Sequence, residues 1–143
     1  MHGVTHGTPD AADGMRLDEA IVHLGPGARA TPFYDFSWTP ECLTRYSETF
    51  AADGEEGRMV CMVAQREDST SWERHPAGEE VVILLSGRVD VIQDLPEGER
   101  VVRLHPGEAL INPAGVWHTA RVHAPGMALF ITPGRGTEGR PLG

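Results

Sequence analysis

Cysteine is scarce in this sequence: Cys42 and Cys61 are the only two. A pair of cysteines builds no disulfide framework, and their spacing fits no zinc pattern. Both read as reduced, partly buried packing residues. Long apolar runs are missing as well. No stretch approaches the roughly 20 residues that cross a bilayer. The opening MHGVTHGTPDAADG lacks the apolar segment of a signal peptide, so a cytoplasmic protein without membrane contact is expected. No cluster of basic residues interrupts a formal net charge of −9. Such a field repels phosphate backbones, which argues against nucleic acid as a partner and favours neutral or cationic small molecules. Strands alternating with helical segments are absent, which disfavours a parallel α/β sheet. There is no internal repeat. Ser86-Gly87-Arg88 is not a nucleophile elbow, and no glycine-rich phosphate loop precedes a helix.

Glycine (17) and proline (11) are plentiful instead, so many tight turns and short strands are expected. The length of 143 residues suits one compact domain. A chain of this size buries about 70% of its unfolded surface and needs neither disulfides nor a metal to fold. Residues 1–15 read as a flexible leader, with His2 and His6 as solvated tail histidines. Residues 16–143 are expected to form a single domain. Segment 16–24 suits a short strand or a helical turn. Segment 31–40 carries four aromatics between prolines, which either seal one end of the core or line a pocket. Segment 42–50 alternates loosely and reads as a strand, followed by Asp53-Gly54 as a hairpin signal. Further strands are expected at 58–66, 72–75, 80–85, 88–93, 100–104, 109–111, 117–123 and 127–132. Eight to ten short strands with these turn signals suggest an all-β sandwich or barrel. Segment 80–85 is apolar on both faces. An outer face of that kind needs a cover, either the N-terminal arm or a second copy, and a homodimer is preferred.

Three groups between residues 75 and 118 are suited to one metal ion: His75, Glu80 and His118. Glu73 and His75 share a strand face by parity. A turn at 76–78 then leads to Glu80, and a hairpin there would set His75 opposite Glu80. His118 follows a separate Pro/Gly turn. The groups can converge only if the sheet curls or faces another sheet, as in a small barrel. Trp72 and Trp117 fall on the opposite face and read as packing residues. Met62 and Arg66 are within reach of a cavity, and parity alone does not decide their direction. Tyr34 is a candidate pocket donor. His105 and His123 read as surface or packing residues.

The same residues resemble the cupin superfamily of small β-barrels. Its first motif ends in a histidine, four residues, a glutamate, six residues and a glycine, matched by His75, Glu80 and Gly87. Its second motif is matched by Gly107, Pro113, Gly115 and His118. The resemblance covers residues 72–132. Glu73 stands where the family usually has a first histidine, Glu67 replaces a glycine, and Val122 replaces an asparagine. The resemblance implies a cupin-type β-barrel, a double-stranded β-helix of jelly-roll kind, with an N-terminal arm. It implies a divalent transition metal (Fe, Mn, Ni or Zn) on His75, Glu80 and His118. Glu73 would then be either a fourth ligand or a general base. It implies a metal-dependent enzyme acting on a small organic molecule, of oxygenase, isomerase, decarboxylase or cyclase type. A non-catalytic small-molecule-binding module is the alternative.

Overall fold

Residues rich in Val, Ile, Leu and Met, cut every few positions by Gly and Pro, form eleven short strands in this computed structural model, which describes residues 14–143. His2, His6 and most of the expected leader lie outside the described residues. In chain order the strands are β1 (Ile21–Gly25), β2 (Arg29–Phe33), β3 (Arg58–Gln65), β4 (Ser71–Arg74), β5 (Glu80–Leu84) and β6 (Arg88–Leu95). They continue as β7 (Gly98–Leu104), β8 (Ala109–Asn112), β9 (Trp117–Ala124), β10 (Gly126–Pro133) and β11 (Glu138–Pro141). All pairings are antiparallel. One sheet has six strands in the order β2-β1-β3-β10-β5-β8, and the other has five in the order β11-β4-β9-β6-β7. Their inner faces pack Val82, Leu84 and Ala128 of the first sheet against Val89, Val91 and Leu104 of the second. This is the all-β architecture that the turn spacing suggested, in the jelly-roll-like form that the family resemblance implied.

Segment 42–50 is not a strand. It belongs to a helix, α1 (Pro40–Thr49), and the reason lies just before it. Thr39 caps the helix by accepting from the Cys42 N–H at 3.3 Å. Pro40 fills the first turn, where its missing N–H costs nothing, and Glu41 faces the positive end of the dipole. Cys42 and Tyr46 are buried one turn apart, and Phe50 packs 5.2 Å from the Tyr46 ring. That is a helical period, not an alternating one. Asp53-Gly54 likewise makes no hairpin: it sits in a 3-10 helix (Ala51–Glu56) leading into β3. Phe33, Phe36, Tyr46 and Phe50 form one end of the core, while Trp38 stays 57% exposed. The aromatic segment therefore seals the core and also supplies a rim residue.

The connection from residue 75 to residue 80 is not a hairpin either. β4 belongs to the five-stranded sheet and β5 to the six-stranded one, so His75-Pro-Ala-Gly-Glu arches between sheets. The His75 carbonyl accepts from Gly78 N (3.4 Å) and from Gly115 N (3.1 Å). The arch is thereby tied to the turn before β9. Gly115 holds φ +73, which glycine adopts at no steric cost. The tail also differs from a simple loop, because β11 pairs with β4. Arg140 stacks over Trp72 and Trp117, and Arg74 over Trp117, on the outside of that sheet. No helix among the described residues is long and apolar enough to cross a membrane.

Candidate metal centre

Register builds the site. Glu73 on β4 is the direct partner of His118 on β9. Glu80, the first residue of β5, is the partner of Asn112 on β8. The two sheets face each other, and the arch carries His75 between them. His75 Nε2 lies 3.2 Å from Glu80 Oε2 and 3.5 Å from Glu73 Oε1. His118 Nε2 lies 3.5 Å from Glu80 Oε1. Donor atoms of Glu73, His75 and His118 all fall within 4.8 Å of one another. The two imidazole centroids are 5.2 Å apart.

The donors of Glu73, His75 and His118 suit one ion, and Glu80 reaches the two imidazoles through different oxygens, of which one would join them. Donors at about 2.1 Å from a common centre are about 3.0 Å apart in an octahedron and about 3.4 Å apart in a tetrahedron. Satisfaction of the polar atoms agrees. His75 is 2% exposed, Glu80 3% and His118 11%. Both Nε2 atoms are buried without an aligned hydrogen bond, although, against burial, the 3.2 Å contact of His75 Nε2 with Glu80 Oε2 raises the His75 pKa and lowers that of Glu80. Leaving such atoms bare costs about 1–3 kcal/mol each, so native structures give them a partner. His75 Nδ1 sits 2.9 Å from Thr137 Oγ1, and donation there leaves Nε2 as the lone-pair nitrogen. The donor set of two imidazoles and a carboxylate therefore fits a divalent transition metal.

The surrounding residues hold Glu80 in place. Asn112 Nδ2 donates to Oε1 at 2.9 Å, and Thr132 Oγ1 donates to Oε2 at 2.7 Å. Asn112 is held in turn by Gln93 Nε2 (2.9 Å), and Gln93 Oε1 accepts from Arg100 Nη2 at 2.6 Å. A chain of hydrogen bonds thus runs from surface Arg100 to the centre. Burial would raise the Glu80 pKa, but His75, His118 and Asn112 outweigh it and hold the carboxyl below its usual range. Burial drops His118 to about 4, so it is neutral at ordinary pH. Glu73 is different: its side chain is 52% exposed. Partial burial and the Glu80 charge, opposed by His75, shift its pKa upward.

Two cavities meet here. An inner one of about 130 Å³ lies between the sheets and is lined by Glu73, Glu80 and His118, with Gln65, Ser71 and Phe130 among the rest. An outer cleft of about 550 Å³ is lined by Glu73, His75, Thr132 and Thr137, with a wall from α1 and its approach. Val63 lines the outer cleft and Gln65 the inner cavity, so alternation along β3 turns Met62 and Arg66 outward. Tyr34 lines neither cavity, and its hydroxyl is buried without a partner. His105 is exposed beside Glu108, and His123 bonds Asp90 at 2.8 Å, away from the centre.

The chain matches the cupin domain family over residues 59–133, more than half of its length. It belongs to the cupin family. No curated protein matches this cupin. Among solved structures it resembles a cupin-2 domain containing protein from Shewanella frigidimarina, with 21% identity and a TM-score of 0.47, covering 53% of this chain and 70% of that one. A hydroquinone 1,2-dioxygenase in complex with Cd2+ and 4-hydroxybenzonitrile is similar at 22% identity and a TM-score of 0.47, covering 55% of this chain and 58% of that one. Hydroxypropylphosphonic acid epoxidase from S. wedmorenis is similar at 15% identity and a TM-score of 0.45, covering 52% of this cupin and 42% of that enzyme.

Several residues around the centre escape the sequence motifs. Asn112 reads as the start of a turn but ends β8, and only the β5–β8 register reveals that it faces Glu80. Gln93 is a lone amide in an apolar strand, and it is 0% exposed. A buried amide needs partners, which was the available signal. Thr132 and Thr137 carry no local signal. Cys61 also points inward and is 4% exposed. Burial first, then Glu80 and Glu73, push its thiol up to about 12. In the folded protein Cys61 should resist iodoacetamide at pH 8 and react once urea unfolds the chain. Fast labelling of the native Cys61 peptide by mass spectrometry would contradict this placement.

Proposed function

We propose that this cupin is a metal-dependent enzyme acting on a small organic molecule, with His75, Glu80 and His118 holding one divalent transition ion (Fe, Mn, Ni or Zn). What carries the reading is the pair of buried imidazole Nε2 atoms, without an aligned hydrogen bond, on either side of a buried carboxylate. The ion would supply Lewis acidity toward a substrate oxygen. The chain does the rest. Asn112 and Thr132 fix the Glu80 oxygens, and Thr137 fixes the His75 ring. Apolar Phe130 and Val63 keep water from the cleft wall. Glu73, half-exposed and with a raised pKa, is placed to take a proton from a substrate in the outer cleft. If its carboxylate turned inward, it would instead be a fourth ligand to that ion.

Protein purified without added metal should contain about one transition-metal ion per chain by elemental analysis. Protein free of metal but carrying a tightly held organic molecule would instead favour a non-catalytic binding module. Neither metal nor ligand would leave a barrel without a working site.

We also propose that a second copy covers the outer face of the six-stranded sheet. Val60, Leu129, Ile131, Val81, Ile83 and Ile111 lie side by side there by register. Leu85 and Ile111 are 46% and 54% exposed. None of these residues is acidic, so in a chain of net charge −9 this patch can meet its own image without repulsion. Sedimentation should show a dimer that Ile111→Glu converts to a monomer. A wild-type monomer at tens of micromolar would exclude it.

A further inference from the structure

We propose that the outer cleft binds a monocarboxylate with an apolar body, the carboxylate on Arg135 and the opposite end toward Glu73 and His75. At about 550 Å³ the cleft has the size of a small-molecule site. Its wall is made by Trp38, Leu43, Met59, Val63 and Phe130. Trp38 is 57% exposed and touches Phe36 only edge-on, so one indole face is open to a ligand. Arg135 is the one cation among the lining residues. Its guanidinium makes a single long hydrogen bond, 3.4 Å to Ala51 O, and has no carboxylate partner among the described residues. Arg45, Arg58, Arg66, Arg88, Arg100 and Arg121 also lack a carboxylate partner among the described residues, but none of them lines this cleft. An unpaired arginine beside an apolar wall, in a chain this acidic, offers a planar fork of donors to a carboxylate.

The placement of charges sets the ligand's direction. Arg135 also lines a small pocket beside His23 and Gly54, whereas Glu73 also lines the inner cavity. Both line the cleft, where a carboxylate is drawn to Arg135 and repelled by Glu73. With its carboxylate on Arg135, the ligand leaves its other end toward Glu73 and His75. What the far end meets there rests on the metal reading; the carboxylate end does not. The net charge alone favoured neutral or cationic ligands, and Arg135 reverses that locally.

The test uses 4-phenylbutyrate and its neutral amide, titrated calorimetrically into wild type and Arg135→Gln, with metal content measured on the same samples. Wild type should prefer the acid by about tenfold or more, the scale of a charge-assisted hydrogen bond. Arg135→Gln should remove that preference, leave the amide unchanged and keep the same metal content. Equal affinities in wild type, a preference that survives Arg135→Gln, or no binding of either probe at millimolar concentration would overturn the proposal. A preference that tracks Arg135 in protein without metal would keep the carboxylate site and remove the metal reading. Metal bound with no such preference would do the reverse.

Discussion

Changing His118 to alanine should lower the affinity for a divalent metal by about 100-fold or more and leave the fold standing. Residues that merely orient a ligand are worth 10–100-fold, so loss of a ligand itself should exceed that range. The fold should survive because β9 is held on both sides, by β6 along Arg88–Asp94 and by β4 at Glu73. The removed ring leaves a hole beside a cavity that already exists, so the stability cost stays within the usual range for one substitution. Competition against a chromogenic chelator reads the affinity, and circular dichroism reads the fold. Unchanged metal binding with a native spectrum would remove His118 from the centre. Glu73→Gln belongs in the same experiment. A fourth ligand would cost affinity, whereas a general base would cost turnover with the metal retained.

The centre was legible in sequence to the extent that its donors follow turn residues. His75 precedes Pro76 and Gly78, and His118 follows Pro113 and Gly115, so spacing together with the cupin motif positions singled out both imidazoles and Glu80. The structure sets Glu73, His75 and His118 within 4.8 Å of one another, with Glu80 3.2 Å from His75 and 3.5 Å from His118 through different oxygens. Which sheet each strand joins was not legible, since that depends on pairing between distant segments. The arch from His75 to Glu80 therefore looked like a hairpin. Segment 42–50 carries two conflicting local signals: a loose alternation that suits a strand, and Thr39-Pro40-Glu41, a helix start that prevails. That conflict hid the cleft wall, because Leu43 and Tyr46 of α1 form part of it. Gln93, Asn112, Thr132 and Thr137 were invisible because their roles come from cross-strand register and not from neighbours in the chain. The barrel itself was the easiest part to read, because Gly and Pro punctuate nearly every strand.

Gly126→Ala should unfold the protein or cost about 4 kcal/mol or more, although Gly126 is not part of the candidate metal centre. The connection from β5 to β6 and the connection from β9 to β10 both cross between the sheets, and they touch. A Cβ on Gly126 would strike the Ser86 carbonyl and lie 2.6 Å from Gly87 N. On Gly87, which holds φ +86, a Cβ would strike Ala124 O and lie 2.8 Å from Pro125 O. All of these are backbone atoms, so no side-chain rotation can make room. The contact is also bonded: Leu85 N and Ser86 N donate to Met127 O, and Met127 N donates to Ser86 Oγ at 2.9 Å. Pushing the two crossings apart would break these bonds and splay the sheets over Leu84, which is 1% exposed. A domain of this size has about 5–15 kcal/mol in hand, so such a loss removes most of it. Urea denaturation of Gly126→Ala decides the matter, and a loss below about 1 kcal/mol would mean the crossings do not meet. Glu80 opens β5 and these turns follow its other end, so any folded remainder should still bind metal as wild type does.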